Sequence, residues 1–172
     1  MKTYEEISKA LEVFGEFDGS DVDLGFDTTG DMLAQRKEAL AKLLDGLQGE
    51  TPLDVAPILQ DIRVRDGFLR SVHDLYNSGE FEIVEAILDG LLFVASNSLG
   101  IVRNSAMACF GGISWICGDK GEALRAVFAS DWDSKYSLLQ LLDIALRHDV
   151  PSSVWSSSLQ AVSLEKCLIG SA

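Results

Sequence analysis

Long stretches of this chain contain nothing that would stop a helix. Proline occurs only at Pro52, Pro57 and Pro151, so residues 58–150 run without the one residue that both lacks a backbone N–H and clashes with the preceding turn. Across that span apolar side chains recur three and four residues apart. No segment sustains the alternation that a half-buried strand requires. The expected fold is all-α. A chain of 172 residues buries roughly 70% of its unfolded surface, enough for a core without metal or disulfide.

Start and stop signals divide the chain. Thr3 and Glu6 form a capping-box pattern, and Tyr4, Ile7, Leu11 and Phe14 follow at helical spacing. From Glu16 to Asp31 the chain is rich in Asp and Gly. The expected organisation is an N-terminal helix over 1–15, an acidic loop or linker over 16–31, and a helical domain over 32–172. Within the last, Met32, Leu33, Leu40, Leu43, Leu44 and Leu47 share a face of a helix starting after Thr28 or Thr29. Thr51-Pro52-Leu53-Asp54 signals another start. A helix follows over about Val64 to Tyr76, stopped by Asn77-Ser78-Gly79. The segment from Ile83 to Ala95 is apolar almost all round, which predicts a central position. Small residues then mark a closely approached helix from about Gly100 to Cys117. Helices carrying Ala123–Phe128 and Tyr136–Leu146 come next, and one short helix follows Pro151.

Two partial copies of a pattern lie 37 residues apart. Glu85-Ala86-Ile87 follows Gly79-Glu80, and Glu122-Ala123-Leu124 follows Gly118-Asp119. That period is close to that of a tetratricopeptide-type hairpin, although a stable array needs about three or more copies. The fold class is therefore a bundle of eight or nine helices, with stacked antiparallel, tetratricopeptide-like hairpins as its alternative arrangement.

Several of these marks are shared with a known group. Val64-Arg65-Asp66 opens one helix, and Trp115-Ile116-Cys117-Gly118-Asp119 joins two more. Tyr136-Ser137-Leu138-Leu139 to Leu146, then Val150-Pro151 and Trp155, complete the set. Over roughly half its length the chain resembles the C-terminal helical part of an actinobacterial family, the domain of unknown function numbered four-one-nine-two. The resemblance implies a helical fold and a bacterial protein. It brings no activity, cofactor or catalytic residue with it.

Charge narrows the partners. The net charge is −13, and the first 62 residues hold 14 acids against 5 bases. Phosphate backbones and anionic membranes are bound mainly through Lys and Arg, so neither nucleic acid nor membrane is an expected partner. The three cysteines, Cys109, Cys117 and Cys167, form no Cys-x-x-Cys pair, and the first residues lack the apolar core of a signal peptide. The expected location is the cytoplasm.

The motifs that suggest chemistry each fail a requirement. Asp21-Val22-Asp23 resembles the nucleophile loop of haloacid-dehalogenase-like phosphatases but lacks the apolar strand before it, and Gly25 stands where Thr or Val is needed. An EF-hand beginning at Asp21 fails at Gly25, Phe26 and Met32. Weak calcium binding by Asp18, Asp21, Asp23, Asp27 and Asp31 remains a separate reading. Gly112-Ile113-Ser114 approaches a nucleophile elbow, yet Ser114 falls inside a helix. His73 and His148 have no metal-ligand spacing, and His148 suits a helix C-terminus. Cys117, beside a helix start, has either a lowered thiol pKa or a plain buried role. No cofactor or metal is implied.

Arg63, Arg65 and Arg70 form a local cationic cluster that either meets an acidic partner or pairs with Asp61 and Asp66. Trp132, between two aspartates, is either an interface anchor or a hairpin corner. The leading expectation is a non-enzymatic helical scaffold that binds a protein. The alternative is an enzyme or small-ligand domain whose site is assembled from scattered acids. Homodimerisation through Leu91 to Cys117 is a further reading.

Overall fold

The computed structural model describes residues 24–130 and 136–169. The helix expected over 1–15, the acidic stretch up to Asp23, and Trp132 lie outside them. Among the described residues there are nine α-helices and no strand. They are α1 (Met32–Gln48), α2 (Pro52–Val55), α3 (Ile62–Asn77), α4 (Phe81–Asn97), α5 (Gly100–Ile116), α6 (Lys120–Phe128), α7 (Ser137–Arg147), α8 (Ser152–Ala161) and α9 (Leu164–Ile169). A 3-10 turn over Ala56–Gln60 follows α2, with Pro57 near its start. Pro57 has no N–H to give an α-helical ladder, so the chain tightens there into a short 3-10 segment.

Local chemistry sets the boundaries. The carboxylate of Asp31 accepts from the Ala34 N–H and starts α1 two or three residues later than Thr28 or Thr29 would have done. Asp61 does the same for α3 through Val64, and Asp119 for α6 through Glu122. The recurring Gly-acid pairs turn out to be one backbone motif. Gly79 and Gly118 have φ of 81° and 84°. In each case the glycine N–H bonds three residues back and the acid's N–H five residues back: Gly79 to Tyr76, Glu80 to Leu75, Gly118 to Trp115, Asp119 to Ser114. This is the Schellman ending, which favours glycine at its left-handed position. A third copy ends α7, where Asp149 adopts φ 53° and Val150 bonds back to Ala145.

The centre of the bundle is α5. It meets α3, α4, α6, α7, α8 and the 3-10 turn, and every residue from Asn104 to Trp115 is buried. Its small side chains make this possible. A Cβ on Gly112 would lie 2.7 Å from the Trp155 ring, so α8 can seat its indole there only because none exists. Trp155 in turn lies 5.9 Å from Trp115, centroid to centroid. On the other side α4 and α1 approach until a Cβ on Gly90 would sit 2.1 Å from the Leu47 carbonyl oxygen. Helices distant in sequence also close on one another, α9 on both α3 and α1. The architecture is a bundle around α5, not a one-dimensional stack in which units touch only their neighbours.

Two expectations change. The helix apolar almost all round, α4, is not the central one: Leu92 and Phe93 point to solvent. The last segment is two helices, because Val162 is extended and the Ser163 hydroxyl accepts from the Lys166 N–H to start α9.

Candidate functional site

Helix α3 carries the buried charged pair and the buried histidine, Arg65, Asp66 and His73. Arg65 has no exposed surface and donates through Nη2 and Nε to Asp66 Oδ1, at 3.0 and 3.2 Å. Its guanidinium carbon lies 5.3 Å from the centre of the Tyr136 ring, whose hydroxyl donates to the Leu59 carbonyl at 2.8 Å. Burial works against the charge on Arg65, but Tyr136 and Asp66 outweigh it and hold the group protonated. Burial pushes the Asp66 carboxyl up to about 6, opposed by Arg65. Asp66 Oδ2 is buried without a hydrogen-bond partner among the described residues.

The arginines expected to form one patch are therefore dispersed. Residues 63 and 65 are separated by about 200° around a helix. Arg65 turns into the core, where no outside partner can reach it, and Arg63 stays half-buried. Arg70 bonds both carboxylate oxygens of Asp74 at 3.1 Å and donates to the carbonyls of Leu159 and Val162. A guanidinium at the end of α8 satisfies carbonyls the helix leaves open and opposes its negative pole. The reading in which arginines pair within the chain fits Arg65 and Arg70.

A serine–histidine contact that no spacing could reveal joins residues 83 apart: His73 Nε2 lies 2.6 Å from Ser156 Oγ. Asn77 Nδ2 is 3.3 Å from Nδ1, and Asp74 Oδ1 is 3.9 Å from the same nitrogen. Burial lowers the His73 pKa, with Asp74 opposing. A neutral imidazole beside a hydroxyl is the beginning of a nucleophile–base pair. Hydrolysis also needs free N–H donors where an oxyanion develops. Ser156 sits in the middle of α8, where backbone N–H groups serve the helix, and His73 is buried. The contact ties α3 to α8.

The remaining candidates are similarly engaged. Ser114 is buried within α5. Cys117 does not have a lowered pKa: burial pushes its thiol up to about 11, Cys167 also to about 11, and Cys109 to about 12. Asp27 accepts from the N–H and hydroxyl of Thr29, which holds its carboxyl below the usual range. Gln35 clamps the same turn through the Asp27 N–H and carbonyl. Among the described residues no group of three or more His, Cys, Asp or Glu is placed to hold a metal. An open cavity of about 270 Å³ lies between this turn and α1, lined by Leu24, Phe26, Gln35, Glu38, Lys42 and Ile58 among others. Its charged groups, Glu38 and Lys42, pair with each other at 3.6 Å.

What the fold leaves open is an apolar end. Leu92 and Phe93 are exposed on α4, and Phe93 keeps 49% of its surface. Leu99, in the short link to α5, keeps 85%, and Ile101 in the first turn of α5 is also exposed. Arg103 Nη2 donates to the Ala129 carbonyl at 3.2 Å, which fixes the end of α6 beside that turn. The expected dimer surface from Leu91 to Cys117 is mostly the chain's own core, and only this end of it remains outside. No helix among the described residues is long and apolar enough to cross a membrane. Comparison with protein-family models, curated proteins and solved structures finds no match to this chain.

Proposed function

We propose that this chain is a non-enzymatic helical interaction module that holds a protein partner at the end where α4, α5 and α6 meet. The observation that carries the reading is the group of large apolar side chains exposed there: Leu92, Phe93, Leu99 and Ile101. Single exposed apolar residues are ordinary, whereas a contiguous group marks a contact surface. Phenylalanine is also among the residues enriched where interfaces bury their centres. The polar groups with chemical potential, Arg65, Asp66, His73 and Cys109, are by contrast buried, and the first three hold structural contacts.

The test is photo-crosslinking in the source cells, with p-benzoylphenylalanine replacing Leu99. A discrete protein adduct that disappears when Phe93→Asp is added supports the reading. Absence of any adduct beyond that formed by the same probe at Lys42, on the exposed face of α1, overturns it.

A further inference from the structure

The outer face of α4 has a composition that specifies what kind of partner the apolar end accepts. Glu82, Glu85, Asp89, Leu92 and Ser96 succeed one another three or four residues apart and are all exposed. They make one stripe along the helix, three carboxylates followed by the apolar end. From Glu82 to Phe93 it runs about 16 Å at the helical rise. None of the three carboxylates has an ion-pair or hydrogen-bond partner among the described residues, whereas Glu122 pairs with Arg125, Asp143 with Arg147 and Asp149 with Lys120. The cation at the apolar end, Arg103, directs its guanidinium to the Ala129 carbonyl. The chain as a whole is at −13.

We propose that the occupant is a cationic amphipathic helix of a protein partner, lying along α4 with its apolar side chains on Leu92, Phe93, Leu99 and Ile101 and its Lys or Arg residues against Glu82, Glu85 and Asp89. This rests on the interaction-module reading and adds the partner's chemistry. The apolar contact supplies the affinity, through removal of that surface from water. The carboxylates select the partner by charge: they raise the encounter rate for a basic segment and repel an acidic one. A second copy of this chain would bring the same three carboxylates, so like charge opposes self-association through this face. Anionic lipid and nucleic acid are opposed for the same reason.

The experiment titrates the full isotope-labelled chain, followed by amide resonances, with two synthetic peptides. One is Lys-Leu-Ala-Lys-Leu-Ala-Lys repeated twice, and the other has glutamate at every lysine. The expected result is binding of the lysine peptide alone, with shifts confined to α4 and to Leu99 and Ile101. Glu82→Gln, Glu85→Gln and Asp89→Asn together weaken it about tenfold. Phe93→Ser with Leu99→Ser abolishes it, and thermal midpoints and circular dichroism show that both variants are folded. Equal binding of the two peptides, or no effect of the triple variant, overturns the cationic partner while leaving the interaction module standing. Shifts centred elsewhere, or no binding of either peptide, overturn the use of this face. A concentration-dependent dimer that Phe93→Ser dissolves makes a second copy the occupant and likewise overturns the proposal. The module itself is sunk by the absence of any Leu99 crosslink in the native chain.

Discussion

At the scale of single residues, the Arg65–Asp66 pair decides most about α3. Two charges have left water together, and each is tolerated because the other is 3.0 Å away. Asp66→Asn strands a buried guanidinium, and urea unfolding should show a loss of about 3–5 kcal/mol. Arg65→Met combined with Asp66→Leu removes both charges and should cost less than Asp66→Asn alone, since well-packed apolar replacements of a buried pair are often near neutral. A larger loss in the double variant would show that the contact of Arg65 with Tyr136 outweighs the ion pair. His73 gives a pH signature. Its native pKa is depressed below the ordinary 6.5, so its contribution is complete above 6.5 and is lost as pH falls from there toward the native value. Asp66 acts in the opposite sense, because a raised carboxyl adds stability as pH falls from about 6 toward 3.8. Subtracting the stability profile of His73→Gln from that of the native chain isolates the histidine. The difference should shrink as pH falls below 6.5, and a flat difference would rule out a neutral buried imidazole there.

At the scale of helices, the sequence was legible at several boundaries where a signal acts on its own backbone, though not at the Asp31 and Ser163 caps. Asp119, Gly79 and Gly118 stop or start helices through bonds within a few residues, and the two Gly-acid pairs read as a repeat because they are one Schellman geometry used twice. Gly118→Ala places a Cβ at φ 84° and should cost about 1–2 kcal/mol in thermal or urea unfolding. Gly90→Ala keeps an allowed backbone but drives a methyl into the Leu47 carbonyl. The same measurement should give a loss at the upper end of the 1–3 kcal/mol of overpacking or above it, because two helix backbones must separate. If Gly90→Ala proved harmless, the close crossing of α1 and α4 would be wrong. What was not legible is which helix lies at the centre. Hydrophobic content favours α4, but centrality also requires that neighbours approach closely, and α5 supplies that with Ala106, Ala108, Gly111 and Gly112. Contacts between distant residues, His73 with Ser156 or Arg70 with the carbonyls ending α8, leave no trace in local spacing. Whether Arg65 faced a partner or Asp66 was left open for a related reason: a cluster in sequence is not a cluster in space when its members lie on opposite sides of a helix.

At the scale of the molecule, the question is whether the apolar end belongs to the fold or is merely carried by it. The core from Leu43 through Phe68, Leu91, Ile113 and Leu142 is closed to solvent, and it places α4, α5 and α6 without help from Phe93 or Leu99. A buried aromatic and an exposed one should therefore respond in opposite ways. Phe68→Ala removes a fully buried ring and should cost about 3–5 kcal/mol. Leu99→Ser exchanges a side chain already largely in water and Phe93→Ser one about half in water, and they should change stability by less than about 0.5 and about 1 kcal/mol, respectively. The pair of measurements bears on function, because a surface that contributes little to folding yet exposes this much apolar area raises the tendency of the chain to associate. Urea unfolding of the three variants is the check. Near-neutral serine variants would leave contact with another molecule as the use for these side chains. Losses approaching that of Phe68→Ala would mean that this end is covered within the chain itself, and the proposed docking surface would have to be given up.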